Sequence, residues 1–196
     1  MNGAPMMSAG PQPQEANLEE HFKAGMRRLA SGVCVVATAH QDCRYGMTVT
    51  AVCSLSAVPP SILVCINREA SAHGPIELSR RLSVNVLSVD QVDIAHHFSG
   101  AGGSSGEARF DHGDWISWPS GTPMLPDAAA SLDCRVIEST ECSSHTVFVC
   151  RVDAVALRGA VQPLVYFDRR LCRPVAARMS SRSLSCPQRR NACGSW

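Results

Sequence analysis

The chain has 196 residues and carries 18 Lys and Arg against 17 Asp and Glu, a net charge of +1. That length fits one well-buried core plus tails, and so even a charge balance gives no field that would draw nucleic acid or an anionic membrane. Met1 to Gln14 has neither the basic start nor the apolar run of a targeting segment, and no stretch of about 18 apolar residues follows, so we expect a soluble, cytoplasmic protein with no nucleic-acid or membrane partner.

Residues 1–16 and 174–196 have too little apolar periodicity to bury anything and are read as disordered tails around one domain, 17–173. The first helix is predicted from Asn17, which can cap it, with Glu20 completing the box; Leu18, Phe22, Met26 and Leu29 share a face, and Ser31-Gly32 stops it. That face is expected to pack on the core. Short β-rich runs follow: 33–38, 47–55, 61–66, 82–87, 132–138, 147–157 and 164–167. Helices are predicted over 74–81 and 89–98, the second capped by Asp90 and repeating Val92, Ile94, Ala95 and Phe98. Strands and long helices do not alternate, so the pattern is that of a barrel or sandwich and not of a doubly wound parallel sheet.

Near the end, Cys142-Ser143-Ser144-His145 is a polar turn without a glycine. In the strand after it, Thr146, Phe148, Cys150 and Val152 face one way and Val147, Val149 and Arg151 the other, with Arg151 expected near an edge or interface. The chain has ten cysteines; Cys34, Cys53, Cys65, Cys134 and Cys150 lie in apolar runs and read as free, buried thiols. No C-x-x-C occurs, and His96-His97 are sequence neighbours that would point apart on a helix, so no metal site is expected.

Two apparent motifs fail on context, and a third is absent. The run Ser99 to Gly106 is glycine-rich, but it follows a helix where a dinucleotide fingerprint follows a strand, and Ser105 stands where its last glycine belongs. It reads as a loop over a site. The Gly-x-Ser-x-Gly of Gly102 to Gly106 lacks the strand and helix of a nucleophile elbow, and no Gly-Lys-Ser or Gly-Lys-Thr is present.

Two segments could carry chemistry. Thr48, Thr50, Ser54 and Ser56 interleave with Met47, Val49, Ala51 and Val52. That pattern suits a half-buried strand and equally a surface that meets the polar edge of a planar cofactor above apolar residues. The segment Cys65 to His73 ends an apolar strand in Asn67, Arg68 and Ser71, which suits either an ordinary turn or a phosphate contact. Neither alone identifies a ligand.

Taken in order, Phe22-x-x-x-Met26-Arg27-x-Leu29-x-Ser31-Gly32-Val33-x-Val35-Val36-x-Thr38, Gly46-Met47-Thr48-Val49-Thr50-Ala51-x-x-Ser54-x-Ser56-x-x-Pro59-Pro60, Val64-Cys65-Ile66-Asn67 and Val84-Asn85-Val86-Leu87-Ser88 resemble the short-chain flavin reductase family. So do Pro123-Met124-Leu125, Leu132-Asp133-Cys134, His145 to Val152 and Pro163 to Phe167, so the likeness runs from about residue 20 to about residue 170. The resemblance implies a mainly β fold, an FMN-binding split barrel (a Greek-key β-barrel) with a few peripheral helices, commonly a homodimer. It implies NAD(P)H-dependent reduction of FAD or FMN, with NADH or NADPH as hydride donor, for a flavin-dependent monooxygenase that is met transiently and acts on aromatic compounds. By the same resemblance Met47, Thr48, Val49, Thr50, Cys53 and Ser54 lie beside the flavin ring and ribityl chain, and Asn67, Arg68 and Ser71 near its phosphate. His73 and Phe98 also carry over as flavin contacts, and His145 as the catalytic residue facing the nicotinamide. In the family that histidine follows Gly-Asp, whereas here it follows Ser143-Ser144. A flavin-binding protein without nucleotide activity, or a split-barrel oxidase of another small molecule, are the alternative readings.

Overall fold

The computed structural model describes residues 14–175. The expected tails, but for residues 14–16 and 174–175, lie outside the described residues. In chain order the elements are α1 (Gln14–Met26), β1 (Ser31–Gly32), β2 (Cys34–His40), β3 (Cys43–Val49), β4 (Val52–Ala57), β5 (Pro60–Asn67), α2 (His73–Ser79), β6 (Arg81–Val86), α3 (Val92–Ser99), β7 (Ile116–Ser117), β8 (Pro123–Met124), β9 (Ala130–Cys142), β10 (His145–Leu157), β11 (Val165–Phe167) and β12 (Arg170–Cys172).

Period-two apolar spacing builds one seven-stranded antiparallel sheet in the order β3-β2-β6-β9-β10-β5-β4. Its two outermost strands, β3 and β4, are joined in sequence by Thr50-Ala51 alone, so the sheet must curl until its edges meet. A barrel with a split at that junction results. The long β9–β10 ribbon follows the curvature through register shifts at Val149/Cys150 and Val152/Ala154, each an extra residue that bends and twists it. Inside lie Val36, Val64, Ile66, Leu82, Val84, Cys134, Phe148 and Cys150. A second cluster, including Val33, Val35, Leu87, Phe98, Phe110 and Leu164, seats α3 and the following loop on the outside of β2 and β3. The seat is close, because a Cβ on Gly46 would stand 2.7 Å from Phe98 Cε1.

The structure corrects several expectations. α1 begins at Gln14, so Asn17 is inside it and is not its cap. It ends at Met26, so Leu29 lies beyond it, and its apolar face is not packed: Leu18, Phe22 and Met26 are 70%, 63% and 48% exposed, and Leu29 58%. The run expected as one strand over 47–55 is two strands, because the exposed Thr50-Ala51 pair leaves the ladder to turn the barrel's corner. Asp90 caps nothing; the turn into α3 starts at Ser88, whose N–H donates to Gln91 Oε1 at 2.9 Å. Arg151 faces solvent, but its strand lies inside the sheet between β9 and β5 and not at an edge.

The eight cysteines among the described residues are free thiols; Cys34, Cys134 and Cys150 are buried, Cys65 is half-buried, and Cys53 is exposed, contrary to the sequence reading. Burial pushes the Cys34 and Cys150 thiols up to about 12 and that of Cys134 further, because the thiolate is poorly solvated in the apolar interior. Thiolate is the reactive form, so at about pH 8 alkylation of the folded protein should mark Cys43, Cys53 and Cys142 and spare the buried three. Peptide mapping reads this, and equal labelling of both groups would contradict the barrel interior. Above the ordinary thiol range the unfolded chain loses these protons before the folded one, so their contribution to stability is level below about pH 9 and falls between there and about pH 12.

Candidate active site

The break between β3 and β4 opens beside a cavity of about 700 Å³ lined by Val33, Thr48, Thr50, Val92, Ala95, His96, Ser99, Tyr166, Arg169, Arg170 and Leu171. Each wall has a local cause. Thr48 lies on β3 and Thr50 in the corner after it, and both line the cavity; the Thr48 hydroxyl donates to Ala95 O at 2.8 Å, which ties α3 to β3. Arg169 and Arg170 are brought in by the β11–β12 hairpin, whose two turn residues Asp168 and Arg169 take φ of 46° and 63° without a glycine. Asp168 N–H donates to Arg27 O at 3.0 Å, which fixes the hairpin against the end of α1.

A second, more polar cavity of about 560 Å³ lies at the open end of β5, lined by Asn67, Arg68, Glu69, His73, Glu77, Glu141, Ser143 and Ser144. Cys65 N–H donates to Ala51 O, next to Thr50, and Asn67 is two residues further along, about 7 Å at the rise of a strand. The backbone thus brings the Thr50-Ala51 corner, on the rim of the larger cavity, within two residues of Asn67 on the rim of the polar one. Arg68 N–H donates to Ser144 O at 3.0 Å, and its guanidinium pairs with Glu141 at 3.0 Å.

His145 opens β10 and pairs with Asn67 on β5 and with Cys142 on β9. It is exposed, and its Nδ1 is 2.8 Å from Ser144 Oγ. The polar turn without a glycine forms the β9–β10 hairpin, with Ser143 carrying the strain at φ 55°. Left-handed backbone costs a β-carbon-bearing residue about 1–2 kcal/mol. Ser143→Gly should therefore raise stability by about 1 kcal/mol, read as a higher urea midpoint, and a lower midpoint would contradict this turn.

The remaining predicted residues are placed as follows. Met47 packs against the core and Val49 is buried in it, so only their backbone faces the junction. Cys53 and Ser54 are exposed on β4, and Ser71 is exposed in the turn before α2; none of the three lines either cavity. His73 is buried, with Nε2 2.8 Å from Thr146 Oγ1, and borders the polar cavity. Phe98 is 1% exposed and is held by Phe110 and Trp115, away from both cavities. Sequence reading missed Tyr166, Arg169, Arg170 and Glu141. The available signal for the arginines was a two-residue turn between Val165–Phe167 and Arg170–Cys172, hidden by its lack of Gly or Asn.

The residues fit a flavin nucleotide. The larger cavity has the size and mixed lining of a small-molecule site, with apolar Val33, Val92, Ala95 and Leu171 for a ring system, Thr50 for its polar edge, and two guanidinium groups for anionic parts. Among the described residues no cluster of three or more His, Cys, Asp or Glu could hold a metal ion. No described helix is long and apolar enough to cross a membrane.

The comparisons with known proteins converge on this chemistry. The FMN reductase (NADH) RutF of Variovorax paradoxus strain S110 is 40% identical over 149 residues, 76% of this chain and 82% of that protein. A crystal structure of a flavin reductase domain protein from Arthrobacter sp. FB24 superposes with a TM-score of 0.74 at 28% identity, covering 81% of this chain and 97% of that one. BorF, the flavin reductase component of a bacterial two-component tryptophan halogenase, superposes with a TM-score of 0.73 at 25% identity, covering 79% and 97%. The split-barrel fold is thereby that of the flavin reductases. Residues 26–174 match the flavin reductase like domain, and the chain belongs to that family.

Proposed function

We propose that this flavin reductase transfers a hydride from NADH to FMN, and that the flavin lies along the β3–β4 junction with its ring at the larger cavity and its phosphate toward Asn67, Arg68 and Ser71. The observation that carries this reading is the cavity at the barrel's split, where Thr50, an apolar wall and two arginines meet. The choice of FMN and NADH, over FAD and NADPH, follows the relative that is 40% identical.

When bound, the flavin supplies the hydride acceptor. What the chain contributes is placement. Holding two flat rings about 3–3.5 Å apart replaces a bimolecular encounter by an oriented one. Val33, Val92, Ala95 and Leu171 keep water from one face of that space. Arg169 and Arg170 supply positive charge for the pyrophosphate of a dinucleotide, a role that a planar guanidinium performs well. His145, which pairs with Asn67 at the phosphate end, would reach back along the flavin to orient the nicotinamide by hydrogen bonding and is not needed as a base.

The exposed apolar face of α1, with Tyr166 and Phe167 37% and 44% exposed beside it, fits burial against a second copy of the chain. A homodimer in sedimentation is the expected result, and a monomer at all concentrations would contradict it. Reduced flavin then passes to a flavin-dependent monooxygenase by transient contact or diffusion. Steady-state assays with FMN and FAD against NADH and NADPH test the function. We expect NADH consumption proportional to enzyme and greatest with FMN. Stoichiometric flavin binding with no nucleotide oxidation in any combination would leave a flavin carrier instead.

A further inference from the structure

The polar cavity that the proposed function assigns to the flavin phosphate is an unusual place for an anion. Its one guanidinium, Arg68, is already paired: Nη1 lies 3.0 Å from Glu141 Oε2, with the two side chains 47% and 61% exposed. Two more carboxylates, Glu69 and Glu77, line the same cavity. His73, its other basic side chain, is committed to Thr146 at 2.8 Å and has its Nε2 3.9 Å from Glu77. A phosphate arriving at Arg68 therefore meets a guanidinium that Glu141 already partly neutralises, competes with that carboxylate for it, and enters a field of like charge.

We propose that Glu141 is a competing anion that occupies Arg68 when flavin leaves and so keeps flavin binding weak and reversible. The inference rests on the phosphate lying at Arg68, as in the proposed function. The geometry supports competition by a mobile side chain over a fixed lattice of charge. Glu141 stands near the end of β9, next to the two-residue turn, and Arg68 lies in the turn after β5, so each is free to swing away without disturbing the ladder. The pair is largely solvated and so of little stabilising value on its own, which lets a dianionic phosphate outcompete it at modest cost. A reductase that hands its product to another protein needs such a setting. Flavin must bind well enough to be reduced and loosely enough to go, and a carboxylate that re-forms the pair as the phosphate departs favours release.

The test is to measure dissociation constants of oxidised FMN and of riboflavin by quenching of flavin fluorescence, on the full chain and on Glu141→Gln, Arg68→Ala and the double variant. Because Glu141 is exposed, the amide is expected to fold normally. Glu141→Gln should tighten FMN about two- to fivefold, the scale of one partly exposed ion pair, slow FMN release in stopped flow by a similar factor, and leave riboflavin unchanged. Arg68→Ala should weaken FMN alone and cancel the gain in the double variant. If Arg68→Ala weakens FMN while Glu141→Gln leaves it unchanged or weakens it, or tightens riboflavin equally, the competition is refuted and the phosphate placement stands. If Arg68→Ala leaves the ratio of FMN to riboflavin affinity unaltered, the phosphate placement itself fails and the inference with it.

Discussion

Phe98→Ala is expected to cost about 3–5 kcal/mol of stability, the range for removing a fully buried aromatic ring, and to lower the melting temperature by roughly 10 °C in a domain of this size. The ring is 1% exposed. It meets Phe110 edge-on with centroids 5.0 Å apart and Trp115 at 5.2 Å, and it lies against Gly46 so closely that β3 could carry no side chain there. This contact seats α3 on the barrel. α3 also brings Ala95, His96 and Ser99 to the larger cavity and accepts the Thr48 hydrogen bond, so the variant should lose flavin affinity as a consequence of lost packing. Phe98→Leu, which keeps most of the volume, should recover most of both properties. The resemblance alone made Phe98 a flavin contact, and that role predicts the opposite pattern: weakened flavin binding at unchanged stability. Thermal unfolding beside flavin titration separates the two.

His145→Ala is expected to lower kcat/KM for NADH by about 10- to 100-fold, equivalent to about 1.4–2.7 kcal/mol of transition-state stabilisation, with FMN affinity within about twofold of the parent. The side chain is exposed at the hairpin tip, where it meets Ser144 Oγ and little else, so its loss should not disturb the fold. Its backbone is held on both sides by Asn67 and Cys142, and this rigidity lets one side chain orient a substrate ring. Transient kinetics of flavin bleaching would locate the loss in nucleotide binding or in the hydride step. Unchanged reduction kinetics would remove His145 from the site.

Much of the barrel was legible in the sequence because its strands are short apolar runs punctuated by turns. Thr146, Phe148 and Cys150 face inward as their spacing requires. The strand junction was not legible, since Met47 to Leu55 reads as one favourable β segment and only closure of the sheet makes Thr50-Ala51 a corner. On α1 the spacing of Leu18, Phe22 and Met26 holds, but the helix ends at Met26, before Leu29 and the expected stop at Ser31-Gly32, and what covers that face is not encoded within one helix's periodicity. The candidate site divides in the same way. Thr48, Thr50, Asn67 and Arg68, expected from residue type and resemblance, line the two cavities, whereas His145 lines neither. Arg169 and Glu141 were missed because they reach the cavities by hairpin geometry, and their turns use no glycine where left-handed backbone occurs.

The measurement that bears most directly on the function is an anaerobic stopped-flow experiment in which enzyme, FMN and limiting NADH are mixed while flavin absorbance and nicotinamide absorbance are followed together. The account predicts one flavin reduced for each NADH oxidised, at a rate that rises with enzyme concentration and that falls in His145→Ala without a change in stoichiometry. Flavin that stays oxidised while bound to the protein, at any concentration of NADH or NADPH, would contradict it.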